Sequence, residues 1–205
     1  VQNETYLSDT GQIAENGNKL TEVSSEGIAA GTPTFTMFNG HATQYINQPL
    51  EAKKGERVRI WLMAAGPSKG MSFHVVGSQF DTVYKEGGYL LRRGKDPYGV
   101  TGGHSQALDL DSAQGGFVEM QFREPGTYTF VNHRFAEMER GAMGKIKVTD
   151  KYPPPCRPLA GGGGAPPPFI RDFYVRTKFL AHVKSPEALC LLRNSGPNSG
   201  PPAGQ

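Results

Sequence analysis

The chain has 205 residues and a formal net charge of +3 at pH 7, and its composition changes after Asp150. Residues 151–205 hold 11 of the 16 prolines, both cysteines, and seven basic residues against two acidic ones. Subtracting these from the totals of 22 and 19 leaves 15 basic and 17 acidic residues in 1–150, so the basic excess does not indicate nucleic-acid binding by that part. Residues 1–150 contain no cysteine, which excludes a disulfide or a thiolate copper site there, and no apolar run long enough for a membrane helix occurs.

Residues 1–33 are polar and rich in turn residues, which predicts a linker arriving from something upstream, with room for a short strand in Val1–Leu7. From residue 34 to 150, short runs of strand-forming residues alternate with Gly and Pro turns. The predicted strands are Thr34–Phe38, Glu56–Met63, Ser72–Val76, Phe80–Tyr84, Gln106–Leu110, Phe117–Phe122, Thr127–Asn132 and Lys145–Thr149. Only Phe135–Arg140 has a helical pattern, so the sequence predicts one all-β sandwich or barrel over 34–150.

Residues 151–205 are predicted to form a Pro/Gly-rich tail that is disordered or not native to the fold. The segment contains a run of four glycines and two runs of three prolines. Such a composition cannot bury enough apolar surface to offset the entropy lost on ordering.

Two of the five histidines stand out as candidate ligands. His41 and His104 adjoin turns and His182 lies in the tail, so all three are predicted to be solvated. His74 and His133 lie within or directly after apolar runs, which predicts partly buried imidazoles that are either hydrogen-bonded or metal-bound. A hydrogen-bonded structural histidine is the simpler interpretation of each. A catalytic metal site usually takes three protein ligands, so this pair does not complete one.

An ordered set of short motifs resembles the second domain of copper-containing nitrite reductases, of the type found beside multicopper oxidases. The motifs are Phe-Asn-Gly from residue 38, Phe-His-Val-Val-Gly from 73, Phe-Arg-Glu-Pro-Gly-Thr-Tyr from 122, Val-Asn-His from 131, and Gly-Ala-Met-Gly-Lys-Ile-Lys-Val-Thr from 141. The resemblance covers roughly residues 1–150. It implies a cupredoxin-like Greek-key β-sandwich, and it makes residues 1–33 the linker from a missing first cupredoxin domain.

The resemblance also implies roles for three residues at a copper site shared between subunits of a homotrimer. His133 matches the ligand that the second domain gives to the type 2 copper of a neighbouring subunit. His74 matches the catalytic histidine that relays protons to bound nitrite, and Val76 matches an apolar wall of the substrate pocket. Reduction of nitrite to nitric oxide consumes two protons and one electron, and histidine titrates near neutral pH.

Several wider expectations follow from the same resemblance. The type 1 copper belongs to the missing first domain, so none is expected in this chain, and the chain alone is expected to be inactive. A denitrification enzyme of this kind takes electrons from a donor protein and is extracytoplasmic, either periplasmic or on the cell surface. No signal peptide, nucleic-acid partner or membrane span is expected in this segment.

The sequence departs from the family pattern at three points. Arg134 follows His133 where a type 1 domain has cysteine, so Met143 is expected to be a core residue or a relic and not a ligand. Ser105-Gln106-Ala107 replaces residues that neighbour the proton-relay histidine in well-known enzymes. No His-x-His pair occurs. Two alternatives stay open: the second domain of a two-domain multicopper oxidase, and a copper-free cupredoxin-like oligomerisation module.

Overall fold

The structure, a computed structural model, describes residues 1–150 together with the backbone of residues 170–173. The strands are β1 (Gln2–Thr5), β2 (Leu7–Ile13), β3 (Lys19–Val23), β4 (Phe35–Phe38), β5 (Leu50–Lys53), β6 (Arg57–Gly66), β7 (Met71–Val75), β8 (Thr82–Lys85), β9 (Gly88–Leu91), β10 (Ala107–Leu110), β11 (Gly115–Gln121), β12 (Gly126–Asn132), β13 (Met143–Thr149) and β14 (Ile170–Phe173). The helices are α1 (Ser25–Ala30), α2 (Gln44–Asn47) and α3 (Phe135–Glu139).

Two sheets form a sandwich, and the chain crosses between them repeatedly. The larger sheet has the order β4-β1-β6-β11-β8-β9, with β14 also beside β6, and the smaller has the order β10-β7-β12-β13-β5. Strands β2 and β3 form a separate hairpin. Because β5, β7, β10 and β12–β13 lie in one sheet and the intervening strands in the other, neighbours in a sheet come from distant parts of the sequence.

The core lies between the sheets and is centred on aromatic side chains. Along β6 the burial pattern alternates, with Val58, Ile60 and Leu62 buried, as expected for a strand with one face on the core. Phe73 of β7 packs with its ring centroid 6.2 Å from that of Phe80. Each such buried apolar side chain contributes about 1.5–3 kcal/mol to stability.

The all-β sandwich predicted from sequence is confirmed, and each predicted strand over 34–150 is present with shifted ends. The helix predicted at Phe135–Arg140 is present as α3. Within residues 1–150, the elements not predicted are the β2–β3 hairpin, α1, α2, β5 and β9. These are short or carry few buried residues, so the sequence gives them no clear period.

Strand β1 lies within residues 1–33, the segment predicted to be a linker. It pairs antiparallel with β4 and parallel with the end of β6, and its Gln2 is fully buried. The sequence Gln-Asn-Glu-Thr has no apolar residue, so hydrophobic pattern could not show that this strand belongs to the sheet.

The predicted tail, residues 151–205, lies outside the described residues except for β14. The backbone of β14 pairs in parallel with Arg57–Ile60 of β6. Within the described residues, no helix has the length and hydropathy needed to cross a membrane.

Candidate metal centre

His74 and His133 lie side by side at one end of the smaller sheet. His74 is in β7, and His133 follows the last residue of β12. Strands β7 and β12 pair antiparallel, with Val131 opposite His74. His133 follows two residues after Val131 and is therefore held beside β7. The two imidazole centroids are 5.5 Å apart, with an angle of 65° between the ring planes. The fold therefore brings together the two histidines that the sequence singled out.

The half-buried imidazole of His74 is anchored through one nitrogen. Its Nδ1 lies 2.6 Å from the main-chain oxygen of Gln106, which neighbours β10. A carbonyl oxygen can only accept a hydrogen bond, so Nδ1 is the donor and Nε2 takes no part in this bond. The acceptor belongs to the main chain, which any residue at position 106 supplies. The departure from the family at Ser105–Ala107 therefore leaves this anchor in place.

The imidazole of His133 is exposed, whereas the sequence predicted partial burial. The apolar run before it ends inside the sheet, and the chain emerges from the sheet at His133 itself. Its main-chain N–H donates to the oxygen of Ser72 at 2.7 Å, and its ring packs 4.9 Å from the ring of Phe135. The backbone of His133 is thus fixed while its side chain faces outward.

Exposed apolar side chains accompany the two histidines. Val76, two residues after His74, is 51% exposed, and Phe135, which contacts His133, is 57% exposed. The main chain of Val76 is held by a 2.8 Å bond from its N–H to the oxygen of Thr129. Sequence pattern did not assign a role to Phe135, although its place two residues after His133 at the start of α3 could have suggested one.

The residues present fit part of a copper site. Imidazole nitrogen is a good ligand for copper, and a separation of 5.5 Å between ring centroids lets both rings approach one ion. It equally lets one ring bind the ion while the other lies beside it. No group of three or more His, Cys, Asp or Glu side chains suited to a metal occurs among the described residues. A complete metal site would therefore need ligands from outside the described residues.

Met143 lies apart from His74. It pairs with Val131, which in turn pairs with His74, so it lies two strands away from His74 in the sheet. Two strand spacings amount to about 10 Å.

Comparisons with known proteins identify the relatives of this chain. The copper-containing nitrite reductase of Neisseria meningitidis serogroup B is 35% identical over 179 residues, which cover 81% of this chain and 43% of the relative. That of Neisseria gonorrhoeae is 34% identical over 154 residues, covering 72% and 36%. The multicopper oxidase mco of Staphylococcus aureus is 32% identical over 77 residues, covering 38% and 16%. No family model matches the chain.

Solved structures with the same fold agree with these relatives. The copper-containing nitrite reductase of Thermus scotoductus matches with a TM-score of 0.58 at 23% identity, covering 83% of this chain and 36% of its own. The copper nitrite reductase of Nitrosomonas europaea matches with a TM-score of 0.54 at 23% identity, covering 73% and 47%. A multicopper oxidase follows with a TM-score of 0.51 at 21% identity.

The sandwich and its relatives define the chain as a cupredoxin-fold domain of the copper oxidoreductases. Within that class its sequence is similar to the copper-containing nitrite reductases, as the motifs around His74 and His133 predicted. The chain spans less than half the length of the relatives it matches.

Proposed function

We propose that this chain is the second cupredoxin domain of an enzyme that reduces nitrite to nitric oxide at a type 2 copper shared between subunits. The observation that carries the proposal is the pair of adjacent imidazoles, one exposed and one anchored, with no third ligand grouped beside them in the described residues. An incomplete metal site at an exposed end of the sheet is expected when a neighbouring subunit supplies the remaining ligands.

His133 is the proposed copper ligand. Its exposed ring can be reached by an ion held on another subunit, and its fixed backbone limits the orientations that the ring can adopt. Copper bound there would supply the electron to nitrite. Two further imidazoles from outside this chain would complete a three-histidine site with one open position.

His74 is the proposed proton relay. Its Nδ1–H stays on the Gln106 oxygen, so Nε2 is the nitrogen that can accept a proton from solvent and pass it on. The net reaction combines nitrite, two protons and one electron to give nitric oxide and water. A half-buried histidine next to the ligand can supply a proton without itself binding copper.

Val76 and the assembly complete the proposal. The half-exposed Val76 side chain would wall the nitrite position and exclude water from one side of it. The enzyme would be a homotrimer that receives electrons from a donor protein through the type 1 copper of its first domain. We place it outside the cytoplasm, in the periplasm or on the cell surface.

A second candidate is the second domain of a two-domain multicopper oxidase. The similarity to the Staphylococcus aureus oxidase over 77 residues favours it. The absence of a His-x-His pair from the sequence counts against it, because such pairs build the trinuclear copper cluster of oxidases.

A chimeric enzyme tests both candidates. Residues 1–150 replace the aligned part of the Neisseria meningitidis enzyme, and the product is assayed for copper content, nitrite reduction and oxygen-dependent oxidation of an aromatic amine. The proposal expects a trimer with type 2 copper and nitrite reductase activity. A trimer that holds only type 1 copper would refute it, and amine oxidation without nitrite reduction would favour the oxidase.

A further inference from the structure

Asn132, which precedes His133, has a fully buried side chain that makes four hydrogen bonds. Its Oδ1 accepts from the main-chain N–H groups of Ser72 and Arg134, both at 3.0 Å. Its Nδ2 donates to Oε1 of Gln2 at 2.8 Å and to the oxygen of Gly70 at 3.3 Å. All the bonding capacity of the amide is used, which fixes its orientation.

These hydrogen bonds hold the backbone on both sides of His133. The bond from the Arg134 N–H to Asn132 closes a turn with His133 at its centre. The bonds of Ser72, one to Asn132 and one to His133, tie that turn to β7 two residues before His74. The Asn132 amide thus adds to the pairing of β7 with β12 in holding His133 relative to His74.

Gln2 extends the network to β1. The Gln2 side chain is fully buried, and its Nε2 donates to the oxygens of Lys69 and Gly70 at 3.3 Å and 3.2 Å. Two residues further along β1, the carboxylate of Glu4 accepts from the N–H groups of Ser68 and Lys69 at 3.0 Å and 2.6 Å. Strand β1 thus holds the loop that leads into β7.

We propose that Asn132, braced by Gln2, is a positioning residue that sets the spacing between His133 and His74. The purpose of this spacing rests on the proposed function, but the geometry does not depend on copper or nitrite. A merely structural role would predict that losing the amide lowers stability without a specific effect on the imidazole pair.

The test compares variants of the labelled chain by NMR, following the nuclear Overhauser contact between the two imidazole rings. Asn132→Ala removes all four bonds and is expected to abolish that contact. Asn132→Asp keeps both acceptor bonds and is expected to retain it. Val148→Ala is the control for lost stability, because Val148 is buried in the core and pairs with Gly126 at the end of β12 that is far from Asn132. This substitution should leave the contact between the two rings unchanged. Urea unfolding of each variant measures the stability change.

Two outcomes would overturn the proposal. One is a folded Asn132→Ala chain that keeps the ring contact, and the other is a Val148→Ala chain that loses it equally. If Asn132→Ala does not fold, Gln2→Met takes its place. It is expected to weaken the contact, and an unchanged contact would refute the bracing role of Gln2.

The chimeric enzyme separates this proposal from the proposed function. There Asn132→Ala is expected to lower type 2 copper affinity by about 10–100-fold, the usual effect of removing a group that orients a ligand, and Asn132→Asp to restore most of it. A lost ring contact together with unchanged copper affinity would uphold the positioning role and refute His133 as the ligand.

Discussion

Replacing His133 and His74 separately by alanine should damage the enzyme in two different ways. His133→Ala in the chimeric enzyme is expected to empty the type 2 site while the type 1 copper remains, because the proposed ligand is lost. His74→Ala is expected to keep most of the type 2 copper and to lower nitrite turnover by about 10–100-fold, because the proposed proton relay beside the metal is lost.

The structure also sets how much stability each change should cost. The His133 ring is exposed, so its removal should change the free energy of unfolding by no more than about 0.5 kcal/mol. His74→Ala removes the 2.6 Å bond to the Gln106 oxygen at a half-buried position and should cost about 0.5–1.5 kcal/mol. Neither change should unfold the domain, so losses of copper or activity can be attributed to the site.

The assay is a copper count per subunit, separated by type from electron paramagnetic resonance, alongside the steady-state rate of nitrite reduction. His104→Ala is the matched control, because His104 is another exposed histidine whose ring bonds the nearby main-chain oxygen of Gly102. Full type 2 occupancy in His133→Ala would contradict the ligand role of His133. Nitrite reduction by His74→Ala at the rate of the control would contradict the proton-relay role of His74.

Three further predictions concern the domain itself. Burial raises the pKa of Asp81, but the hydrogen bonds and charge of Arg57 outweigh this and lower it, so Asp81 stabilises the fold above its ordinary pKa of about 4. Asp81→Asn should therefore reduce the loss of stability as the pH falls below about 4, measured by urea unfolding, and an unchanged profile would contradict this. Gly116→Ala should destabilise the sandwich strongly, since a Cβ there would overlap the main-chain oxygen of Tyr84. An almost unchanged thermal midpoint would show that β8 shifts at little cost. Residues 1–150 with added copper should show no blue thiolate absorption, and a strong blue band would refute the expectation that this chain holds no type 1 site.

Sequence pattern predicted the strands that have one face on the core. In β6, apolar residues recur at every second position from Val58 to Ala64, and burial follows that period. In β11, Val118 and Met120 are buried as their spacing predicts, but Phe117 and Glu119 between and before them are buried as well, which alternation does not predict. Strand β5 has four residues with one buried, so its pattern is too short to identify. Strand β1 is held by pairing and by buried polar bonds, which periodicity does not report.

The candidate site was predictable as a set of residues and not as an arrangement. Motifs identified His74 and His133, but their proximity depends on the register that places Val131 opposite His74, a long-range pairing that no local pattern encodes. The role of Asn132 depends on groups of β1 and β7 and could not be inferred from the Val-Asn-His motif alone. The exposure of His133 likewise depends on where the sheet ends.

The non-local pairing of β7 with β12 also has a kinetic consequence. The two histidines are 59 residues apart in sequence, and the segment between them contributes strands to both sheets. Closing so long a loop costs entropy that is recovered only when the sandwich assembles. The imidazole pair should therefore form late in folding, at the step that closes the core. Metal added during refolding would then bind after that step, without speeding it.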